Sequence, residues 1–321
     1  MRGYRYPSGS WGPSSVYAPA PAFASPRPSP ARVRIVTDSA SDILPRHARA
    51  IGVIVVPNRI ALDGHILRDG IDITAAQYYA RLPYARNPPY TVPASPADFS
   101  MAYQTAFYEG ATAVVSIHVS SHLSQVVQHA AIARDQLAQV APAPIDVIDS
   151  LQLGIGMWPA VIEAARLAAQ GATAQQVHER VVGLLARTHA FVLVESLEYL
   201  RRSGRIGRVA ELVGTLVDAH PILTLDQGEA RLVETVRSRR RAVLRLREVA
   251  FGVGAPGAAG AAGALDAIET LLICGTSIEA IAEMEALLAQ QYGGTIRKTW
   301  LGPVIGVNVG PAIAVAVVAR E

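Results

Sequence analysis

Hydrophobic and polar positions alternate along the chain in blocks that predict strands followed by helices. Apolar, β-branched runs at 32–39, 110–121 and 143–150 predict three buried strands, and the segment 121–140 between the last two has helical periodicity. A strand that is joined to the next strand by a helix is typical of a parallel sheet covered by helices. We therefore expect an α/β fold whose N-terminal lobe is a three-layer domain around a parallel sheet.

The second half of the chain carries a different pattern. Residues 158–188 predict two helices that meet at Gly171, and 190–196 predict another strand. Residues 221–238 alternate apolar and polar positions on both sides of a Gln-Gly pair, which is a hairpin signal. One more strand and helix follow at 267–294. The C-terminal lobe is therefore predicted to be an α/β domain with a mixed or antiparallel sheet.

Composition shifts predict the domain organisation. Residues 1–31 are rich in proline, serine and alanine and predict a disordered leader, and 251–266 form a Gly/Ala-rich linker within the second lobe. We expect an N-terminal domain at 32–160 and a C-terminal domain at 161–321. The stretch 302–320 is uncharged up to its last residue and raises a membrane anchor as an alternative, but glycine and proline interrupt it, and its second half has the length of a buried strand.

Charge and cysteine content restrict the function classes. Lysine and arginine number 29 against 26 acidic residues, so a nucleic-acid partner is not expected. The single cysteine, Cys274, excludes an intrachain disulfide and fits a cytoplasmic location.

Each of the three predicted N-terminal strands ends in polar residues. In open α/β sheets, ligands bind at the carboxyl ends of the strands, so these residues are candidates for a binding site. Helix capping is the alternative for any one of them. The candidates are Thr37, Asp38, Ser39 and Ser41 at the end of the first strand, Ser120, Ser121 and Ser124 at the end of the second, and Asp149 and Ser150 at the end of the third.

Motifs for catalysis or metal binding are weak. The chain has no G-x-S-x-G elbow, no phosphate-binding glycine loop, and no CxxC or HExxH pair. A hydrolase that uses Ser121 with His118 or His122 stays open as an alternative. Hydroxyls without an activated nucleophile favour the binding of a polar or anionic head group over catalysis.

Nine motifs follow one another in order along residues 32–321. They are VTDSASDI at 36–43, RDGIDIT at 68–74, TVPASPADF at 91–99, SSHLS at 120–124, VIDS at 147–150, LEYLRRSGRIG at 197–207, PILTLDQGE at 221–229, VRSRRRAVLRL at 236–246 and GPVIGVNVGP at 302–311. Together they resemble the motifs of the DegV family of fatty-acid-binding proteins. Because they cover nearly this whole range, the resemblance does not depend on any one of them.

The resemblance implies a non-catalytic carrier without a cofactor or metal. A long-chain fatty acid is expected in a tunnel between the two lobes, where a separate kinase subunit converts its carboxyl group to an acyl phosphate. A scaffold of the same fold without a ligand is the alternative. The residues expected to bind the ligand are Asp38, Ser39, Thr91, Ser95, Ser121, Ser124, Gln125 and Asn308.

Several head-group positions depart from the family pattern. Asn308 stands where a histidine is common, and we expect its amide to donate a hydrogen bond to the ligand. Gln125 is expected to supply a further donor beside Thr91 and Ser124. The remaining departures are Val92 for serine, Val126 for threonine and Gly275 for another histidine.

Of two arginine groups in the second half of the chain, the first suggests a partner surface. The resemblance implies that Arg201, Arg202 and Arg205 lie near the tunnel mouth, where the kinase docks and where arginine can pair with acidic or phosphate groups. Transient membrane contact during lipid loading is another use of this surface. The group at 237–241 is interpreted as a solvated basic face.

Overall fold

The computed structural model describes residues 33–138, 140, 144–205, 219–253 and 265–320. The predicted leader at 1–31 and the central part of the predicted linker, 254–264, lie outside the described residues.

The N-terminal half contains a four-stranded parallel sheet. Its strands are β1 (Val33–Asp38), β2 (Val53–Val56), β6 (Ala113–His118) and β7 (Ile145–Asp149), in the order β2-β1-β6-β7. Every residue of β6 is buried, as expected of a central strand that is covered on both faces. The three predicted strands and their parallel pairing are confirmed.

Two helix pairs cover this sheet. Helices α3 (Pro96–Tyr108) and α4 (Val126–Ala138) contact each other and the strands, as do α5 (Trp158–Ala169) and α6 (Ala174–Ala186), and α1 (Pro45–Ala50) packs beside β2. The α5–α6 pair confirms the two predicted helices, and a glycine with positive φ lies between them. Both helices pack on the N-terminal sheet although most of their residues come after position 160. The domain boundary near residue 160 stays a prediction.

A small antiparallel sheet beside these layers was not predicted. It contains β3 (Arg59–Leu62), β4 (His65–Arg68) and β5 (Tyr90–Val92), in the order β4-β3-β5, and helix α2 (Ala75–Arg81) follows β4. Arg59 of β3 donates two hydrogen bonds of 2.8 Å to the Asp98 carboxylate, which ties the sheet to α3.

The C-terminal half contains a six-stranded mixed sheet, as predicted. Residues Gln227 and Gly228 both have positive φ, 48° and 82°, which is the type I′ geometry of a two-residue hairpin. The strands are β8 (Thr188–Val194), β9 (His220–Asp226), β10 (Glu229–Val236), β11 (Ile268–Gly275), β12 (Ile296–Trp300) and β13 (Ala312–Ala319), in the order β10-β9-β8-β13-β11-β12. All neighbouring strands are antiparallel except β11 and β12.

Helices α8 (Arg239–Phe251) and α9 (Ile278–Ala289) cover one face of this sheet. Strand β13 alternates accordingly: Ile313, Val315 and Val317 pack in the core under these helices, whereas the alanines between them face the N-terminal half. The second half of the apolar C-terminal stretch thus forms a buried strand, as predicted. In the described part of the chain, no helix is long and apolar enough to cross a membrane.

Two short helices, α7 (Glu198–Ser203) and α10 (Pro303–Val309), lie between the two halves and contact each other. The Tyr79 hydroxyl of α2 donates to the Leu301 carbonyl at 3.0 Å, just before α10. The Ser120 hydroxyl donates to the Gly228 carbonyl in the β9–β10 turn at 2.9 Å. These two hydrogen bonds link the N-terminal half to the C-terminal half.

Candidate functional site

A cavity lies between the N-terminal sheet and the mixed sheet. The empty space between its lining atoms, together with its opening to solvent, is about 1120 Å³. Both halves of the chain line it, through β5, the loop after β6, residues 153–155, strands β8, β9 and β13, and helix α10.

Most of the cavity lining is apolar. Ala190, Ala230 and Ala314 present small side chains from the mixed sheet, which leaves room between the sheet and α10. Larger side chains such as Leu200 and Ile305 close the space from α7 and α10. A surface of this kind binds a hydrocarbon chain through burial and offers it few hydrogen bonds.

Thr91 and Ser124 place hydroxyl groups in this lining, as predicted from the motifs. Thr91 belongs to β5, and Ser124 lies just before α4. Among the described residues, neither hydroxyl has a hydrogen-bond partner, and both side chains are half-buried. Each hydroxyl is therefore free to donate one bond to a ligand.

Asn308 also lines the cavity. One of the two N–H groups of its Nδ2 donates to the Val304 carbonyl one turn earlier in α10, at 2.8 Å. Its Oδ1 is buried and has no partner among the described residues. Asn308 therefore keeps an unused acceptor and a second amide N–H, and its donation to a ligand stays a prediction.

Arg205, which was predicted to contact a partner, is itself part of the lining. Its Nη1 donates to the Ser203 carbonyl at 2.6 Å, and its Nε reaches the Leu123 carbonyl at 3.5 Å. The guanidinium is half-buried beside Ser124 and brings positive charge to this part of the cavity.

Five of the predicted ligand-binding residues lie outside the lining, among them Ser95, Ser121 and Gln125. Ser95 caps α3, where its hydroxyl and the Asp98 carboxylate form a capping box. Ser121 uses its backbone N–H to bind the Asp149 carboxylate. Gln125 is exposed at the start of α4.

Asp38 and Ser39 are buried behind the lining, where they organise the loops. The Asp38 carboxylate accepts four hydrogen bonds, from the Ala40 and Val119 amides, from Asn58 Nδ2 and from His118 Nδ1, at 2.9 to 3.1 Å. The Ser39 hydroxyl accepts a hydrogen bond from the backbone N–H of Asn58 at 3.1 Å.

His118, a candidate in the serine–histidine alternative, bonds to residues other than Ser121. His118 joins Asp38 to Ser116, whose Oγ lies 2.6 Å from Nε2, and the Tyr103 hydroxyl donates to Ser116 Oγ at 3.0 Å. All four side chains in this chain of bonds are fully buried. A substrate therefore has no access to Ser116, and both ring nitrogens of His118 already have hydrogen-bond partners other than Ser121.

Four further lining residues with polar side chains were not predicted from the sequence to lie in the site: Asp42, Asn58, Thr224 and Cys274. Burial raises the pKa of the Cys274 thiol well above its usual range, and nearby Asp42 adds to the effect. A protonated thiol is a poor nucleophile. No group of three or more metal-ligating His, Cys, Asp or Glu side chains occurs within the ranges that the structure describes.

The remaining predicted partner residues, Arg201 and Arg202, are exposed on α7. Their side chains retain 56% and 44% of their accessible surface, and both bind Glu198 at 2.8 and 3.0 Å. Because Leu200 and Arg205 line the cavity, this exposed pair lies next to it.

Comparison with known proteins agrees with the motifs and the fold. The model of the DegV family, described as uncharacterised proteins, matches residues 32–320. A DegV domain-containing protein from Caldanaerobacter subterraneus is 34% identical over 212 residues, which are 66% of this chain and 74% of that protein.

Two solved structures share the whole fold. A DegV family protein from Thermus thermophilus, described by its fatty acid binding, has a TM-score of 0.76 and 27% identity, covering 90% of this chain and 100% of its own. A stearic-acid-binding protein from Eubacterium ventriosum has a TM-score of 0.78 and 25% identity, covering 89% and 98%. This chain belongs to the DegV family.

Proposed function

We propose that this chain is a carrier that binds a long-chain fatty acid in the cavity and presents its carboxyl group to a separate kinase subunit, which forms the acyl phosphate. The observation that carries the proposal is an apolar cavity between the two halves with free hydroxyl groups in its wall. The fatty acid binding of the Thermus and Eubacterium proteins supports it.

Burial of the acyl chain supplies most of the affinity. A chain of about sixteen carbons contributes on the order of 10 kcal/mol at roughly 0.8 kcal/mol per buried methylene, before the costs of association are deducted. The polar groups of the wall then have to fix only the orientation of the carboxyl group.

The head group is assigned to the region of Thr91, Ser124 and Asn308. The two hydroxyls can donate to the carboxyl oxygens, and Asn308 Oδ1 can accept from the acid when it carries its proton. Arg205, beside Ser124, favours the ionised acid and, after transfer, an acyl phosphate. This set holds both forms of the carboxyl group without any residue that attacks it.

The kinase-docking surface is assigned to Arg201 and Arg202 on α7. Both are exposed next to the cavity, and ion pairs to Glu198 at such an exposed site are weak, so an acidic partner can replace them. Arg202 also stacks over the Tyr199 ring, with 5.3 Å between Cζ and the ring centroid, which orients its guanidinium.

Native mass spectrometry of the full chain, followed by extraction and identification of the lipid, tests the binding step. We expect one fatty acid per protein molecule. A protein that is isolated empty and takes up no added fatty acid overturns the carrier proposal.

The transfer step is tested with a bacterial fatty acid kinase catalytic subunit, ATP and hydroxylamine, which traps acyl phosphate as a hydroxamate. We expect the fatty-acid-loaded chain to support hydroxamate formation. Replacing Arg201 and Arg202 by alanine should slow the reaction without changing fatty acid affinity, whereas the same change at Arg240 and Arg241, an exposed pair on α8, should not. Equal rates for both double variants contradict the assigned surface.

A further inference from the structure

Asp42 is a buried carboxyl group in the cavity wall that lacks a full set of partners. It follows a single 3-10 turn and has a left-handed backbone, with φ of 56°. Only 5% of its surface is exposed. Its Oδ1 accepts the Gly302 N–H at 3.0 Å, whereas Oδ2 has no partner among the described residues.

Two glycines let the backbone approach this carboxyl group. A Cβ at Gly302 would lie 2.3 Å from Oδ1, and a Cβ at Gly154 would lie 2.9 Å from Oδ2. Any other residue at these positions would push the carboxyl group out of place. The free oxygen is thus held at a fixed place in the wall.

These surroundings favour the neutral form of the carboxyl group. Burial raises the pKa of Asp42 well above its usual range, and Asp69 and Asp38 add to the effect against the opposing Gly302 N–H. No cation pairs with it in the described part of the chain. A protonated carboxyl group has an O–H to donate and a lone pair to accept with, so it suits a neutral oxygen on the ligand.

An unsubstituted acyl chain would leave Asp42 Oδ2 without a hydrogen-bond partner, which is unfavourable for a buried polar atom. On the basis of the proposed fatty acid binding, we propose that Asp42 is a second polar subsite, which binds a hydroxyl or keto oxygen on the acyl chain. The preferred ligand is then an oxygenated long-chain fatty acid.

The subsite lies part of the way along the chain. Asp42 contacts the residue before α10, and Asn308 lies six residues further on, a rise of about 9 Å along a helix. An extended eighteen-carbon chain is much longer than this distance. The oxygen is therefore expected near the middle of the chain.

Delipidated full-length protein should be titrated with stearic, 10-hydroxystearic and 12-hydroxystearic acids in a fluorescent fatty acid displacement assay. We expect at least one hydroxy acid to bind about tenfold more tightly than stearic acid, the effect of one buried hydrogen bond. Equal or tighter binding of stearic acid overturns the subsite and leaves the carrier function standing. Failure of all three acids to bind overturns the carrier function itself.

Variants locate the effect. Asp42→Leu should abolish the preference for the hydroxy acid, and because two affinities are compared within one variant, general damage to the pocket cancels. Asp42→Asn tolerates the left-handed backbone and should keep the preference, since its amide still donates. Asp63→Leu is the matched control, an exposed aspartate with φ of 49°, and should behave like the unaltered protein. A preference that survives Asp42→Leu overturns the proposal.

Discussion

Thr91 and Ser95 are four residues apart in one motif, yet the structure predicts opposite consequences for their substitution. The Thr91 hydroxyl lies in the cavity wall without a described partner. The Ser95 hydroxyl accepts the Asp98 amide and donates to the Asp98 carboxylate, at 3.3 and 2.7 Å, and so caps α3. One side chain is available to a ligand, and the other is used by the fold.

The expected magnitudes differ in kind. Thr91→Val keeps the shape of the side chain and removes one hydrogen bond to the carboxyl group, which costs about 1.5 to 3 kcal/mol if the acid is ionised, or roughly 10- to 100-fold in Kd. Because the hydroxyl has no partner in the free protein, stability should change little. Ser95→Ala should cost about 1 kcal/mol of stability through the lost cap, with the Kd unchanged.

Two measurements on delipidated protein separate these effects: urea denaturation for stability and displacement of a fluorescent fatty acid for affinity. Ser124→Ala is a second site variant and should resemble Thr91→Val. The reasoning is refuted if Ser95→Ala weakens binding as much as Thr91→Val while stability is unchanged, or if Thr91→Val leaves the Kd unaltered.

Three further predictions concern stability, measured by urea denaturation. Burial raises the pKa of Asp69 to about 7, above its unfolded value near 4, so the free energy of unfolding should fall as pH rises between these values. Asp69→Asn should reduce the slope of stability against pH, by at most about 1.4 kcal/mol per pH unit. An unchanged slope contradicts the assignment. His118→Phe removes one of the four hydrogen bonds to the Asp38 carboxylate and the bond between His118 and Ser116 Oγ, and should cost about 2 to 4 kcal/mol. A loss below about 1 kcal/mol is inconsistent with the network. Gly228→Ala places a Cβ 2.5 Å from Ser120 Oγ and should destabilise the protein more than Gly64→Ala, because Gly64 has the same φ of 82° but open space around the new Cβ. Equal losses of stability in the two variants exclude a role for this contact.

The parts of the fold that were predictable are those where burial leaves a long, regular trace in the sequence. Strand β6 reads as an uninterrupted apolar run because it is covered on both faces, and the β9–β10 hairpin is marked by a turn that requires positive φ. The small sheet β3–β5 left no such trace. Its strands have three or four residues, and β4 is largely exposed, so no periodicity develops.

The motifs located three residues of the cavity wall, and the structure explains why their neighbours are absent from it. Ser124 faces the cavity, whereas Gln125, the next residue, is exposed at the start of α4. Adjacent residues at a helix start point in different directions, which a motif in one dimension does not record. Asn308 lies in the cavity wall, and only the structure shows that one of its N–H groups is bonded to Val304 while Oδ1 has no described partner.

Hydrogen-bond satisfaction separates the residues that build this site from those that are free to use it. Asp38 stands at the end of a parallel strand, where ligands bind in such sheets, yet its carboxylate already accepts four bonds. Asp42, four residues later, keeps one oxygen unpaired. The sequence shows two aspartates in one short polar segment, and only the surrounding amides decide between them. A residue at a strand end is therefore a candidate for ligand binding only to the extent that the fold has left its polar atoms unused.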